Sequence, residues 1–167
     1  LGGTNKILLE FPGNVRYGTI KEAVQTALSN RAVPVLAHIE RYKSLLSPVR
    51  RAEALKNEFE VYYQINGENI LKNPYHLVNR SIRRLLQNEM IDFVASDAHD
   101  CDKRRCRMRE TYERLVTVVG REYANKLTGA QILPEDFLGH INEQAISNCV
   151  RVYRQKSQMK DDARNLR

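Results

Sequence analysis

Ser96, Asp97 and His99 stand at the end of the apolar run Ile91–Ala95, and a basic loop containing Lys103, Arg104 and Arg105 follows at once. Two further apolar stretches finish in the same way, KILLEF on Glu10 and VPVLA on His38, with Arg41 three residues beyond the histidine. Glu10 and Asp97 offer hard carboxylate oxygens, and His38 and His99 offer imidazole nitrogens. That mixture suits Mn, Fe or Zn better than Ca or Mg. A metal cluster held by these four would lower the pKa of bound water and supply a nucleophile near neutral pH. Arg41 and Arg104 are then the candidates to bind phosphate oxygens and to stabilise charge on a leaving group, with Arg105 as a further phosphate contact and Arg105 or Arg107 able to take the second role.

Each residue has a plainer explanation. His38 could be a hydrogen-bonded core histidine and Asp97 a cap for the next segment; the recurrence of candidate ligands at strand ends argues against both. His76 and His140 fall outside that pattern and read as ordinary structural residues. A turn at Ala98 is expected to re-aim one member of the Asp97–His99 pair.

The segment Cys101–Arg107 matches the C-x5-R spacing of thiol phosphatases. That loop works by wrapping bare backbone N–H groups around phosphate, which favours glycine and small residues. The intervening residues here include no glycine, and Asp102 would repel the anion. The three cysteines are an odd number without CxxC spacing, so neither a disulfide framework nor a structural zinc knuckle is indicated.

The elements that must position these groups follow from periodicity. Lys6–Phe11 reads as a buried strand, followed by a helix from about Thr19, whose hydroxyl is a plausible cap. Val33–Ala37 is the next strand, and a helix starting near Ser47-Pro48 follows it. Glu60–Ile65 is a third strand, turned by Asn66-Gly67. Helices are expected over Glu68–Lys72 and Val78–Met90, the latter with Ile82, Leu85 and Leu86 inward, and the strand Ile91–Ala95 comes next. A helical stripe through Met108, Thr111, Tyr112, Leu115, Val118 and Val119 stops at Gly120, with shorter helices over Arg121–Leu127 and Pro134–Ile141. Strands alternating with helices predict an α/β fold, a parallel sheet or barrel, in which groups at the carboxyl ends of strands converge. Glu10, His38, Asn66, Asp97 and His99 all occupy such ends.

At 167 residues and 42% hydrophobic, the chain is expected to form one domain over residues 1–150, with a basic tail over 151–167. The net charge of +7 is concentrated in that tail and in the loop around Arg104. Without interleaved aromatics or a reading helix it does not point to nucleic acid. No run approaches the roughly 18 apolar residues of a membrane span, and the first residues lack the regions of a signal peptide. A cytoplasmic protein is expected, with an oligomer left open. The initial Leu suggests a piece of something longer.

ILLEFP, VPVLAHIERY, YQIN and FVASDAHD, in this order and spacing, resemble the C-terminal two-thirds of the bacterial capsular and exopolysaccharide tyrosine phosphatases of the PHP (polymerase and histidinol phosphatase) superfamily. The resemblance covers about Lys6–Leu138. It implies a portion of a distorted barrel of parallel strands with C-terminal helices, a manganese-type cluster, and hydrolysis of phosphotyrosine on a polysaccharide-assembly kinase. On matching positions it makes Glu10, His38, Asp97 and His99 metal ligands, and Arg41 and Arg104 the arginines that contact phosphate and assist the phenolate leaving group.

The departures are specific. The family's opening His-x-His strand and a further histidine before the EFP motif are missing, Ile39 stands where the family has proline, and Arg105 and Cys106 replace two prolines. An incomplete site is expected, either because further ligands lie upstream of Leu1 or because this is an inactive relative that binds a phosphorylated tail without cleaving it. An interaction domain using the basic tail is the remaining reading.

Overall fold

A computed structural model describes residues 5–72, 77–100 and 105–129. The order of elements is β1 (Lys6–Leu9), α1 (Tyr17–Ser29), β2 (Val33–Leu36), α2 (Lys43–Leu46), α3 (Arg50–Glu58), β3 (Tyr62–Asn66), α4 (Gly67–Leu71), α5 (Leu77–Gln87), β4 (Phe93–Ala95), α6 (Met108–Val119) and α7 (Arg121–Thr128), with a 3-10 turn at Ile39–Arg41 between β2 and α2. The helix expected over Pro134–Ile141, the basic tail, His76, His140, Cys101 and Arg104 lie outside the described residues.

The four strands are parallel and lie in sequence order, β1-β2-β3-β4. A doubly wound sheet would reverse direction at a switch point, whereas barrels place each strand beside its predecessor. Simple succession therefore favours the barrel-type arrangement among the two that strand and helix alternation allows.

Strand β2 is buried along its whole length, which accounts for its unbroken apolar run. It contains Pro34, and hydrogen bonding shows why a proline is tolerated. The Val33 and Ala37 amides donate to Asn5 and Leu9 on the β1 side, so Pro34 would donate toward β3. Pairing with β3 begins only at Val35, so no ladder bond is lost.

Strand β1 departs from expectation. It ends at Leu9, and it is an edge strand with Ile7 43% and Leu8 53% exposed rather than a buried one. Its apolar run satisfies a pattern rule, but among the described residues only β2 pairs with it.

The helices cover the sheet with the periodicity of one apolar stripe each. Ile20 and Val24 of α1, Ala52 and Leu55 of α3, Ile82, Leu85 and Leu86 of α5, and Leu115 of α6 enter one core cluster with Leu36, Tyr63 and Ile65 of the strands. Helix α1 begins two residues before Thr19, with Arg16 as N-cap and no side-chain cap, so Thr19 does not serve as one. Ser47-Pro48 precedes α3 as a cis peptide instead of opening the helix; the short α2 already occupies the residues before it. Gly120, at φ 83°, ends α6 in a conformation that glycine adopts without strain.

Buried tyrosines tie the layers together. The Tyr63 hydroxyl donates to Ala52 O at 2.8 Å and that of Tyr123 to Ile91 O at 2.6 Å. The Asp92 carboxylate, just before β4, accepts from the Tyr63 amide at 2.7 Å and pairs with Lys56. A β-carbon on Gly67 would stand 2.7 Å from Thr111 Oγ1. Only glycine lets α6 approach the end of β3 so closely, and that end carries Asn66.

Candidate metal and phosphate site

Three strand ends build the site. At the end of β2 the chain turns sharply because His38 adopts a left-handed conformation, φ 51°, uncommon for a residue with a β-carbon. The 3-10 turn that follows buries Ile39 completely and sends Arg41 back toward solvent. After β4, Asp97 is also left-handed, φ 51°. The chain is thus re-aimed at Asp97 itself, one residue before the turn expected at Ala98.

Tyr42 fixes the first two ends to each other. Its buried hydroxyl accepts a hydrogen bond from the Phe11 amide at 3.0 Å and donates one to Ala37 O at 2.6 Å. Phe11 adjoins Glu10 and Ala37 adjoins His38, so one side chain sets the spacing of two candidate ligands. Desolvation raises the Tyr42 pKa, outweighing the opposing Phe11 amide, which keeps the phenol protonated and able to donate.

His38 Nε2 lies 3.8 Å from Asp97 Oδ1. His38 Nδ1 lies 2.7 Å from Asn66 Oδ1, and Asn66 Nδ2 donates to Asp97 Oδ2 at 3.0 Å. His99 Nδ1 is 2.7 Å from the Asp97 carbonyl oxygen. A carbonyl only accepts, so Nδ1 of His99 carries a hydrogen. Glu10, largely exposed, is 3.3 Å from one Arg41 nitrogen, and another Arg41 nitrogen is 3.8 Å from Asp97 Oδ2. Arg41 therefore lies between two candidate carboxylate ligands.

Among the described residues, no three His, Cys, Asp or Glu side chains gather closely enough to hold a metal ion by themselves. The donor set nevertheless fits a divalent transition metal in part: His38 and Asp97 form a nitrogen–oxygen pair, and His99 stands on the same loop as Asp97. The four residues predicted as ligands are thus brought to one region, with His38 and Asp97 paired, His99 attached through Asp97, and Glu10 engaged by Arg41.

The predicted arginines separate. Arg41 lines a polar cleft of about 350 Å³ with Glu40, Asn66, Asn69, Ser96 and Asp97. Arg105 is exposed and faces Glu110 at 3.9 Å, and Arg107 pairs with the same carboxylate. Asp97 and His38 also line an apolar hollow of about 430 Å³, with Leu8, Val35, Ala37, Phe93 and Ala95.

Sequence reasoning noted Asn66 at a strand end and gave it no role, and it passed over Glu40 and Gln64. Gln64 and Asn66 are 7% and 9% exposed, and polar side chains within a buried strand, YQIN, were the available signal, since burial requires partners. Glu40 is 8% exposed, and its Oε1 accepts from the Asn66 amide at 3.3 Å and from Asn69 Nδ2 at 3.0 Å.

Comparison with known proteins gives concordant matches. The family described as capsular polysaccharide synthesis, CpsB/CapC, matches residues 1–132. The tyrosine-protein phosphatase CpsB of Streptococcus agalactiae serotype III is 33% identical over 132 residues, covering 76% of this chain and 54% of that protein. The protein of the same name from Streptococcus pneumoniae is 29% identical over the same length. Among solved structures, one reported with YwqE from Bacillus subtilis and CpsB from Streptococcus pneumoniae as metal-dependent tyrosine phosphatases aligns with a TM-score of 0.64 at 27% identity, covering 74% of this chain and 50% of that one. The chain spans about half the length of the curated relatives it matches.

Proposed function

The chain belongs to the CpsB/CapC family of capsular polysaccharide synthesis, and from that premise we propose that it supplies part of the active site of a metal-dependent protein-tyrosine phosphatase. The observation that carries the reading is the approach of His38 Nε2 to within 3.8 Å of Asp97 Oδ1 beside the Arg41 guanidinium. An imidazole nitrogen and a carboxylate oxygen converge there, next to a cation that suits phosphate.

In this reading His38 and Asp97 hold the metal, with Glu10 and His99 completing what this chain contributes. When bound, a divalent transition metal, manganese first with iron and zinc as alternatives, supplies Lewis acidity and lowers the pKa of coordinated water. Arg41 orients the phosphoryl group and stabilises charge on the phenolic oxygen, and its existing contacts to Glu10 and Asp97 keep it beside the ligands. Arg104 shares that work, with Arg105 as a further phosphate contact. The substrate is phosphotyrosine on the tail of a polysaccharide-assembly kinase, and the protein acts in the cytoplasm. The similarity to proteins called tyrosine-protein phosphatases supports the substrate class.

A second reading, a relative that grips a phosphorylated tail without cleaving it, draws on the lack of three gathered ligands among the described residues. One experiment separates the two. With the intact protein and a phosphotyrosyl peptide, phosphate release should stop on chelation and return with manganese, and Asp97→Ala should lower both metal content and turnover. Release that survives chelation would overturn the metal reading, and peptide binding without release in any metal would favour the binding module.

A further inference from the structure

The polar network beneath the site has a direction that can be read from its ends. The backbone amide of His38 can only donate, and it donates to Gln64 Oε1 at 2.8 Å. Gln64 must then present its amide hydrogens through Nε2, which reaches two acceptors. These are the Ile65 carbonyl at 2.7 Å and Asn66 Oδ1 at 3.3 Å. At the far end the Asp97 carboxylate accepts from Asn66 Nδ2 at 3.0 Å. Turning the Asn66 amide over would set its hydrogens against those of Gln64 and its oxygen against the Asp97 carboxylate, losing two bonds at once.

Asn66 Oδ1 is therefore an acceptor, and the atom 2.7 Å from it, His38 Nδ1, carries a hydrogen. In the neutral ring the lone pair of His38 is then on Nε2, the nitrogen that faces Asp97 Oδ1. The free histidine side chain favours the opposite tautomer, so this one is imposed by its surroundings. Asn66 is itself held from behind, by Glu40 Oε1 on its backbone amide and by Gly67, which admits Thr111 at close range.

We propose that Asn66 is the positioning residue of this site: it locks His38 as the Nδ1–H tautomer and steadies Asp97 Oδ2, so that His38 Nε2 and Asp97 Oδ1 are presented together to a divalent cation. Histidine ligands generally need such a partner on the second nitrogen to fix ring orientation and tautomer. The cation rests on the function proposed above; the tautomer does not, and the two are measured separately.

The tautomer is read from two-bond proton–nitrogen correlation spectra of the ¹⁵N-labelled full chain without added metal at pH 8, with His38→Gln used to assign the signals. His38 should show a pyrrole-type Nδ1 and a pyridine-type Nε2. The reverse pattern in the unsubstituted chain overturns the proposal whether or not any variant folds. Asn66→Leu should move His38 toward Nε2–H, and Asn66→Asp, which retains an acceptor, should restore Nδ1–H. An unchanged tautomer in the leucine variant would also overturn it. Zinc titration by calorimetry reads the second half: affinity should fall by about 10- to 100-fold in Asn66→Leu and less in Asn66→Asp. Equal zinc affinity in all three would refute the positioning role. An Nδ1–H tautomer in a chain that binds no zinc would refute the cation and leave the tautomer assignment standing.

Discussion

One guanidinium nitrogen of Arg41 lies 3.3 Å from the Glu10 carboxylate, joining the loop after β2 to the exit of β1. The same guanidinium reaches toward Asp97, so it sits among groups proposed as ligands without itself being able to bind a metal. Arg41→Ala in the intact protein should cut turnover of phosphotyrosine by on the order of 100-fold, the usual loss for one preorganised donor, while metal content stays unchanged. Because a guanidinium would stabilise charge on the departing oxygen, the penalty should shrink on nitrophenyl phosphate, whose leaving group needs less help. Equal losses on both substrates would reduce Arg41 to a binding contact.

Chemistry through a metal and chemistry through the Cys101–Arg107 segment make opposite demands. Cys101→Ser should leave aryl phosphate hydrolysis nearly unaltered, and a chelator should abolish it. A silent chelator and an inactive serine variant would reinstate the thiol mechanism.

Tyr42→Phe removes one atom and leaves two backbone groups, the part-buried Phe11 amide and the buried Ala37 carbonyl, without that partner. The desolvation cost of such groups predicts a loss of about 1–3 kcal/mol in urea unfolding. Because those groups adjoin Glu10 and His38, metal affinity should fall as well. A variant of unchanged stability would mean that water replaces the hydroxyl at little cost.

Glu40 is buried, and its Oε2 has no hydrogen-bond partner among the described residues. Desolvation raises its pKa above the usual 4.5, against the opposing pull of backbone hydrogen bonds and of His38 and Arg41. An acid whose folded pKa is raised favours the fold when protonated, so its contribution is fully present below 4.5 and is lost as pH rises through the folded value. Glu40→Gln keeps an oxygen for the Asn66 and Asn69 donors and removes the charge. It should unfold at higher urea than the unsubstituted chain at pH 8, and the difference should narrow toward pH 4. A constant difference across that range would show that charge is not the cause.

The sequence by itself determined the class of fold and which groups are candidates for the site. Short apolar runs separated by amphipathic stripes dictate parallel strands and covering helices, and side-chain chemistry at the strand ends singles out Glu10, His38, Asp97 and His99 as the candidate metal ligands. Ile82, Leu85 and Leu86 were legible as inward residues because helical period alone decides which face is apolar. Tertiary structure decided what periodicity does not encode. An apolar run such as ILLE reads the same in a covered strand as in an edge strand, and only the neighbours left Leu8 exposed. Local spacing did not reveal that Asp97 itself makes the turn, because a left-handed residue is held by its partners across the fold. Nor could spacing separate Arg41, in the cleft, from Arg105, turned to Glu110. The role of Asn66 was least legible of all. It depends on hydrogen bonds to residues 28 and 31 positions away, and the direction of those bonds exists only once β2, β3 and the end of β4 lie side by side.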